Sequence, residues 1–376
     1  MSSRDEVQAV SWGVEAWRGA AAWLVVYAHY WSAAAWSPDF LRFAFTGVDL
    51  FFVLSGFVFA PYFFGKPLQA RPFWIRRFFR IYPAYVLALL LYMGLRWSEG
   101  GALLYVWEHF TFMYLQSREM TFYYNPVFWS LPSEVAFYLV LPLLAYLIRR
   151  WRRTLLLVGV GALLLRVALG YASDRAVENS AFILMYHLPG MGVEFLLGAA
   201  AWRISRQALD DWLRTLLFGL GLAGWLALAF MFGRLDDAGI DQSWARGQMS
   251  WLAALCFALM LAGCLATSAT DRAAPAPWLH ASALWAGRLS YGVYLFHVGA
   301  LRLLEPYRET LAQLPFASLQ TVAVLLTLVL AWATYVLWEN PWRQWGRRLA
   351  ADGDPRRVTP AANPTYQERT NESRES

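Results

Sequence analysis

Runs of roughly 20 predominantly apolar residues recur ten times along this chain, each closed by a polar or charged stretch. They fall at about 14–36, 46–64, 80–97, 127–148, 154–171, 182–201, 213–232, 246–267, 283–303 and 318–339. Runs of this length without strict alternation predict membrane-spanning α-helices and argue against a β-barrel. The stretch 101–115, ALLYVWEHFTFMYLQ, is shorter and more charged, and reads as interfacial or re-entrant.

The polar gaps alternate in sign, the one after run 8 only weakly. Lys66, Arg71, Arg76 and Arg77 follow run 2; Arg149, Arg150, Arg152 and Arg153 follow run 4. Arg203, Arg206 and Arg214 follow run 6, and Arg343, Arg347 and Arg348 follow run 10. The intervening gaps hold Glu99 and Glu108, Asp236 and Asp237, or Glu305 and Glu309. Lys and Arg accumulate in cytoplasmic loops, so the expected fold is an all-α polytopic membrane protein of about ten helices with both termini in the cytoplasm. The expected domains are an N-terminal segment 1–13, a transmembrane unit 14–341, and a cytoplasmic, largely disordered tail 342–376 that is polar and rich in Arg, Glu and Pro. The first residues lack a cleavable-signal pattern.

Composition agrees with this reading. Hydrophobic residues make up 59% of the chain and charged ones 15%, more apolar than a soluble domain. The net charge of +6 would suggest nucleic acid in a soluble protein; here membrane orientation accounts for it, and no nucleic-acid partner is expected. Cys256 and Cys264 lie eight apart in one helical run, too far to bridge.

Ionisable groups inside a bilayer are costly and mark functional sites. Arg18 and His29 stand eleven residues apart in WRGAAAWLVVYAHYW. Eleven helical steps come to about 1100°, within about 20° of three turns, so both side chains share one face about 16 Å apart. Counted from the helix ends, His29, Glu134, Asp49, His187 and His297 reach comparable depth in the outer half of the bundle. Histidine accepts protons near neutral pH, and a neighbouring carboxylate orients it. Asp49 equally suits a cap at the start of run 2. In the inner half, Arg77 and Arg80 are three apart and share a helical face; with Arg18 they form a candidate phosphate site. Ser130, His297 and Glu339 are candidates for supporting roles. No His pair has ligand spacing on one helix, so no metal is expected.

Seven segments carry a resemblance when taken in order: RGAAAWLVVYAHY, GVDLFFVLSGF, RRFFRIYPAY, FWSLPSEVAFYLVLP, VEFLLGA, LSYGVYLFH and WENP. Together they resemble the acyltransferase 3 family of integral membrane acyltransferases. Pro132 in SLPSE departs from that family's usual pattern. The resemblance implies ten helices in the cell (inner) membrane and O-acyl transfer, commonly of acetyl, from cytoplasmic acyl-CoA to a cell-surface or lipid-linked glycan. It places His29, Glu134 and Asp49 in the catalytic group and Arg18, Arg77 and Arg80 at acyl-CoA, which serves as donor substrate with no bound cofactor. A transporter or flippase of a glycan or lipid-linked intermediate is the competing reading, because buried ionisable layers also serve proton relays.

Overall fold

The computed structural model describes residues 11–31, 39–151, 153–173, 180–237, 243–265, 276–313 and 318–352. Among these residues the chain is helical, without a β-strand. Ten long helices coincide with the ten runs: α1 (Ser11–Tyr30), α2 (Gly47–Phe63), α3 (Ala70–Ser98), α4 (Ser130–Arg150), α5 (Arg153–Ala172), α6 (Leu188–Ser205), α7 (Asp211–Asp237), α8 (Ser243–Cys264), α9 (Pro277–Leu304) and α10 (Leu319–Thr334). A π-helical turn, Tyr335–Glu339, joins α10 to an eleventh helix, α11 (Asn340–Asp352).

Eight described helical stretches are long and apolar enough to cross a membrane; α1 and α9 are not among them. These two carry Glu15, Arg18, His29, Arg288, His297 and Arg302, and they lie against each other. Gly19 rests on Ala286, Gly287 rests on Glu15, and Tyr30 Oη donates to the His297 carbonyl at 2.6 Å. From Gly19–Ala286 to Tyr30–His297 both helices advance by eleven residues, so α1 and α9 run parallel. α2 and α6 are also parallel: Asp49 meets Glu194, and Val53 and Phe57 meet Gly198. α9 and α10 oppose each other, with Trp285 at Tyr335 and Gly292 at Ala331. Odd and even helices therefore run in opposite directions, and the arginine-rich helix ends collect at one end of the bundle.

Several boundaries differ from the sequence reading, whereas Pro132 causes no break. α3 begins at Ala70 rather than 80, which leaves 64–69 as the loop and places Arg71, Arg76 and Arg77 on the helix. Arginine marks a membrane edge but forms helix well, and the buried stripe Phe73, Ile81, Ala84, Ala88 and Tyr92 continues through it. The sixth run breaks at His187, between a short helix Ser180–Tyr186 and α6. Pro189 lacks the N–H that a continuous helix would direct back to Met185, and Gly190 presses on that backbone. Pro132 is the third residue of α4, where an N–H has no intrahelical partner, so it starts the helix without breaking it. The expected disordered tail is helical as far as Asp352: Trp342, Gly346 and Ala350 form one stripe, and Trp342 and Gly346 pack on Phe79 of α3. Residues 353–376 of that tail, 1–10 of the N-terminal segment and 32–36 of the first run lie outside the described residues.

The connection from α3 to α4 folds over the far end of the bundle without spanning it. Tyr85 and Tyr82 of α3 donate to the carbonyls of His109 (2.8 Å) and Phe110 (3.2 Å), and Tyr114 donates to that of Phe128 (2.8 Å). His109 is buried and stacks on Tyr114 at 4.3 Å. Burial pushes its pKa down to about 4, against the upward pull of the Tyr105 carbonyl and the Glu108 charge. Its folded pKa thus lies below the unfolded value near 6.5, so folding favours the neutral ring. Stability is complete above about pH 6.5 and falls as pH drops toward 4, by about 2 kcal/mol at pH 5. Thermal unfolding at pH 7.5 and pH 5 measures the loss, and His109→Gln reduces its pH dependence.

Candidate active site

A cavity of about 70 Å3 lies inside the bundle between α1, α2, α3, α4 and α9. Arg18, Arg77 and Arg80 line it together with Ser55, Ser130, Glu134, Tyr138, Ser290, Tyr291 and Tyr294; Phe51, Phe52, Phe59 and Ile81 supply apolar wall. The three predicted arginines do converge. The three-residue spacing of Arg77 and Arg80 on α3 turns both inward.

Each arginine is held differently. Arg18 pairs with Glu15 one turn earlier on α1. Arg77 sits in an aromatic cradle, its guanidinium carbon 5.1 Å from the Phe59 ring centroid, 5.7 Å from Tyr138 and 6.0 Å from Phe73. Ring faces attract a cation without occupying its N–H groups, and Arg77 Nε is buried with no hydrogen-bond partner. Arg80 interacts electrostatically with Glu339, Glu15 and Glu134. Glu339, only 2% exposed, accepts from Arg343 at 3.2 Å. Cations and carboxylates thus alternate across the arginine-rich end of the cavity.

Glu134 belongs to this same charged end. It accepts from Ser55 Oγ at 3.3 Å and from the hydroxyl of Tyr138, one turn further along α4. At the opposite end Tyr294 Oη donates to the Val127 carbonyl at 2.6 Å, so the 2.7 Å contact to Ser130 is a bond donated by the serine. This serine–tyrosine pair lies between the cavity and the histidines. His297 is fully buried, its ring centroid 6.3 Å from that of Tyr294 and 4.9 Å from that of His29, edge to face. His297 Nδ1 donates to the Tyr294 and Val293 carbonyls at 2.9 and 3.1 Å; its Nε2 is buried with no hydrogen-bond partner. His29 Nδ1 lies 2.9 Å from the Val25 carbonyl, an acceptor only, so Nδ1 carries the proton and Nε2 presents its lone pair.

The layer of five ionisable groups expected from depth counting divides into separate sites. His29 joins His297 and is not a cavity-lining residue, whereas Glu134 turns toward Ser55 and the arginines, with no hydrogen bond to His29. Asp49 turns away from the cavity that its neighbours Val48 and Phe51 line. It accepts from Ser250 of α8, whose hydroxyl is also 3.2 Å from Glu194 Oε1 of α6, with the charge of Arg166 of α5 nearby. His187 is 2.6 Å from the Leu115 carbonyl. Depth from a helix end fixes height but not direction around the axis. The sequence reading did not include Glu15, Tyr138, Tyr291 and Tyr294 in the site, although Glu15, Tyr138 and Tyr294 each stand three or four residues from a residue it did include (Arg18, Glu134, His297). Among the described residues no group of three or more His, Cys, Asp or Glu is placed to hold a metal ion.

Fold and cavity together define an all-α polytopic membrane protein with a charged chamber inside its bundle. The sequence profile of the family described as an Acyltransferase domain matches residues 11–336, and the chain belongs to that acyltransferase 3 family. Nodulation protein 10 of Rhizobium leguminosarum bv. viciae is 31% identical over 175 residues, 38% of this chain and 47% of the relative. Peptidoglycan O-acetyltransferase OatA of Listeria monocytogenes is 27% identical over 350 residues, 80% of this chain and 52% of the relative. The chain therefore spans about half the length of the curated relatives it matches. No solved structure matches it.

Proposed function

We propose that this chain is a multi-pass O-acyltransferase of the cell membrane that moves an acyl group, acetyl in the first instance, from acyl-CoA to a hydroxyl of a cell-surface or lipid-linked glycan. The observation that carries this reading is the cavity in which Arg18, Arg77 and Arg80 converge, with the His29–His297 pair beyond it. The arginine-rich end faces the cytoplasm by the positive-inside rule, where acyl-CoA is available. The glycan acceptor follows the peptidoglycan named for OatA.

Arg18, Arg77 and Arg80 bind donor phosphate. Glu134, held by Ser55 and Tyr138, positions the cations rather than the histidine. His29 Nε2 takes the proton of the acceptor hydroxyl while the oxygen attacks the thioester carbonyl; the C–O bond forms, the C–S bond breaks, and the proton passes to the thiolate. The Val25 carbonyl keeps Nε2 free for this step.

Purified protein in nanodiscs, given radiolabelled acetyl-CoA, is expected to cleave the thioester in an acceptor-dependent way. A transporter leaves the thioester intact, and that result refutes the proposal. Arg80→Ala is expected to raise the dissociation constant for acetyl-CoA at least tenfold, since a charge-assisted hydrogen bond contributes about 1.5–3 kcal/mol. An unchanged constant removes Arg80 from the donor site.

A further inference from the structure

A second hollow opens at the arginine-rich end, bounded by the end of α2, the 64–69 loop, the start of α3 and α11. It holds about 560 Å3, and Tyr62, Lys66, Gln69, Arg76 and Arg347 line it. Its three cations come from three different elements, and none of its lining residues is acidic. Lys66 lies over the Tyr62 ring at 5.5 Å, just after Gly65, whose φ of +122° lets the loop turn there. Among the described residues no carboxylate pairs with Lys66, Arg76 or Arg347. Arg343, one turn before Arg347, is taken by Glu339. Orientation in the membrane requires cations at this end but not their convergence on one concavity. Three converging, uncompensated cations beside an aromatic ring favour a multiply charged anion that carries an aromatic group.

The hollow shares a wall with the cavity. Arg76 lines the one and Arg77 the other, and Tyr62 of the hollow stacks at 6.4 Å on Phe59 of the cavity. We infer that the hollow docks the adenosine 3′-phosphate 5′-diphosphate head of the donor, with Lys66, Arg76 and Arg347 on its phosphates, while the thin arm passes Arg77 into the cavity. This inference rests on acyl-CoA being the donor. An anionic lipid headgroup offers the same phosphate chemistry, so the test separates the two sources.

The full chain is reconstituted in nanodiscs of phosphatidylcholine, and dissociation constants are measured for coenzyme A and for dephospho-coenzyme A, which lacks the 3′-phosphate. The wild-type protein is expected to prefer coenzyme A about tenfold. The double variant Arg76→Gln, Arg347→Gln, checked by size exclusion and melting temperature, is expected to bring that ratio close to one. Equal binding of the two ligands by the wild type overturns the inference without any variant and leaves the donor reading standing, as does a preference that survives the double substitution. Failure to bind either ligand overturns the donor reading and the inference with it. In discs containing phosphatidylglycerol, lipid retention lost in the double variant, combined with equal binding of the two nucleotides, reassigns the hollow to lipid phosphate.

Discussion

His29→Ala is expected to accumulate at wild-type levels and to lose acyl transfer by at least about 100-fold, the lower end of what a positioned general base contributes. The separation of stability from activity follows from placement. His29 is exposed near the end of α1, so truncating it opens no buried void, and its Nδ1 bond returns only to Val25, a carbonyl of the same helix. Its Nε2 is a free base that no described carboxylate competes for. Initial rates of transfer from labelled acetyl-CoA, normalised to immunoblotted protein, measure the loss. Full activity at normal protein level removes His29 from the mechanism.

Gly198→Val is expected to abolish most folded protein. A Cβ at Gly198 meets the Val53 carbonyl and the Phe57 amide, and one at Gly56 meets the Phe195 backbone. α2 and α6 therefore touch backbone to backbone, and no rotamer change relieves an added side chain. Overpacking costs about 3 kcal/mol at the upper end of its usual range, and here it also displaces Ser55, Phe52 and Phe59 from the cavity wall. Detergent-extracted yield on size exclusion and the melting temperature report the effect. Gly94→Ala in α3, where a Cβ meets nothing within 4 Å, serves as control and leaves both unchanged or improved. Wild-type melting of Gly198→Val would refute the close contact.

The sequence was informative where one-dimensional periodicity is enough. The ten long helices follow from run length, and the shared face of Arg77 and Arg80 from a three-residue interval; both arginines meet Arg18 at the cavity. It was less informative where a third dimension decides. Glu134 and His29 sit at similar counted depth, yet α4 turns its carboxylate toward α2 whereas α1 sets its ring against α9. Asp49 lies one residue from a cavity-lining valine and faces α8, because one helical step rotates a side chain by about 100°. α11 was hidden for another reason: its polar composition reads as disorder, and only the surface of α3 gives its tryptophan stripe something to pack against.

The parallel pairing of α1 with α9 bears on how the protein is made. α1 leaves the ribosome well before α9, and it is not among the described helices long and apolar enough to span unaided. Its partner follows only after roughly 250 further residues, which at about 5–20 residues per second amounts to roughly 10–50 s of synthesis. Until then the segment bearing Arg18 and His29 has α2 to pack against, where Gly47 rests on Ala21 and Leu24. Biogenesis thus brings the histidine pair together late: it cannot assemble until α9 has been made.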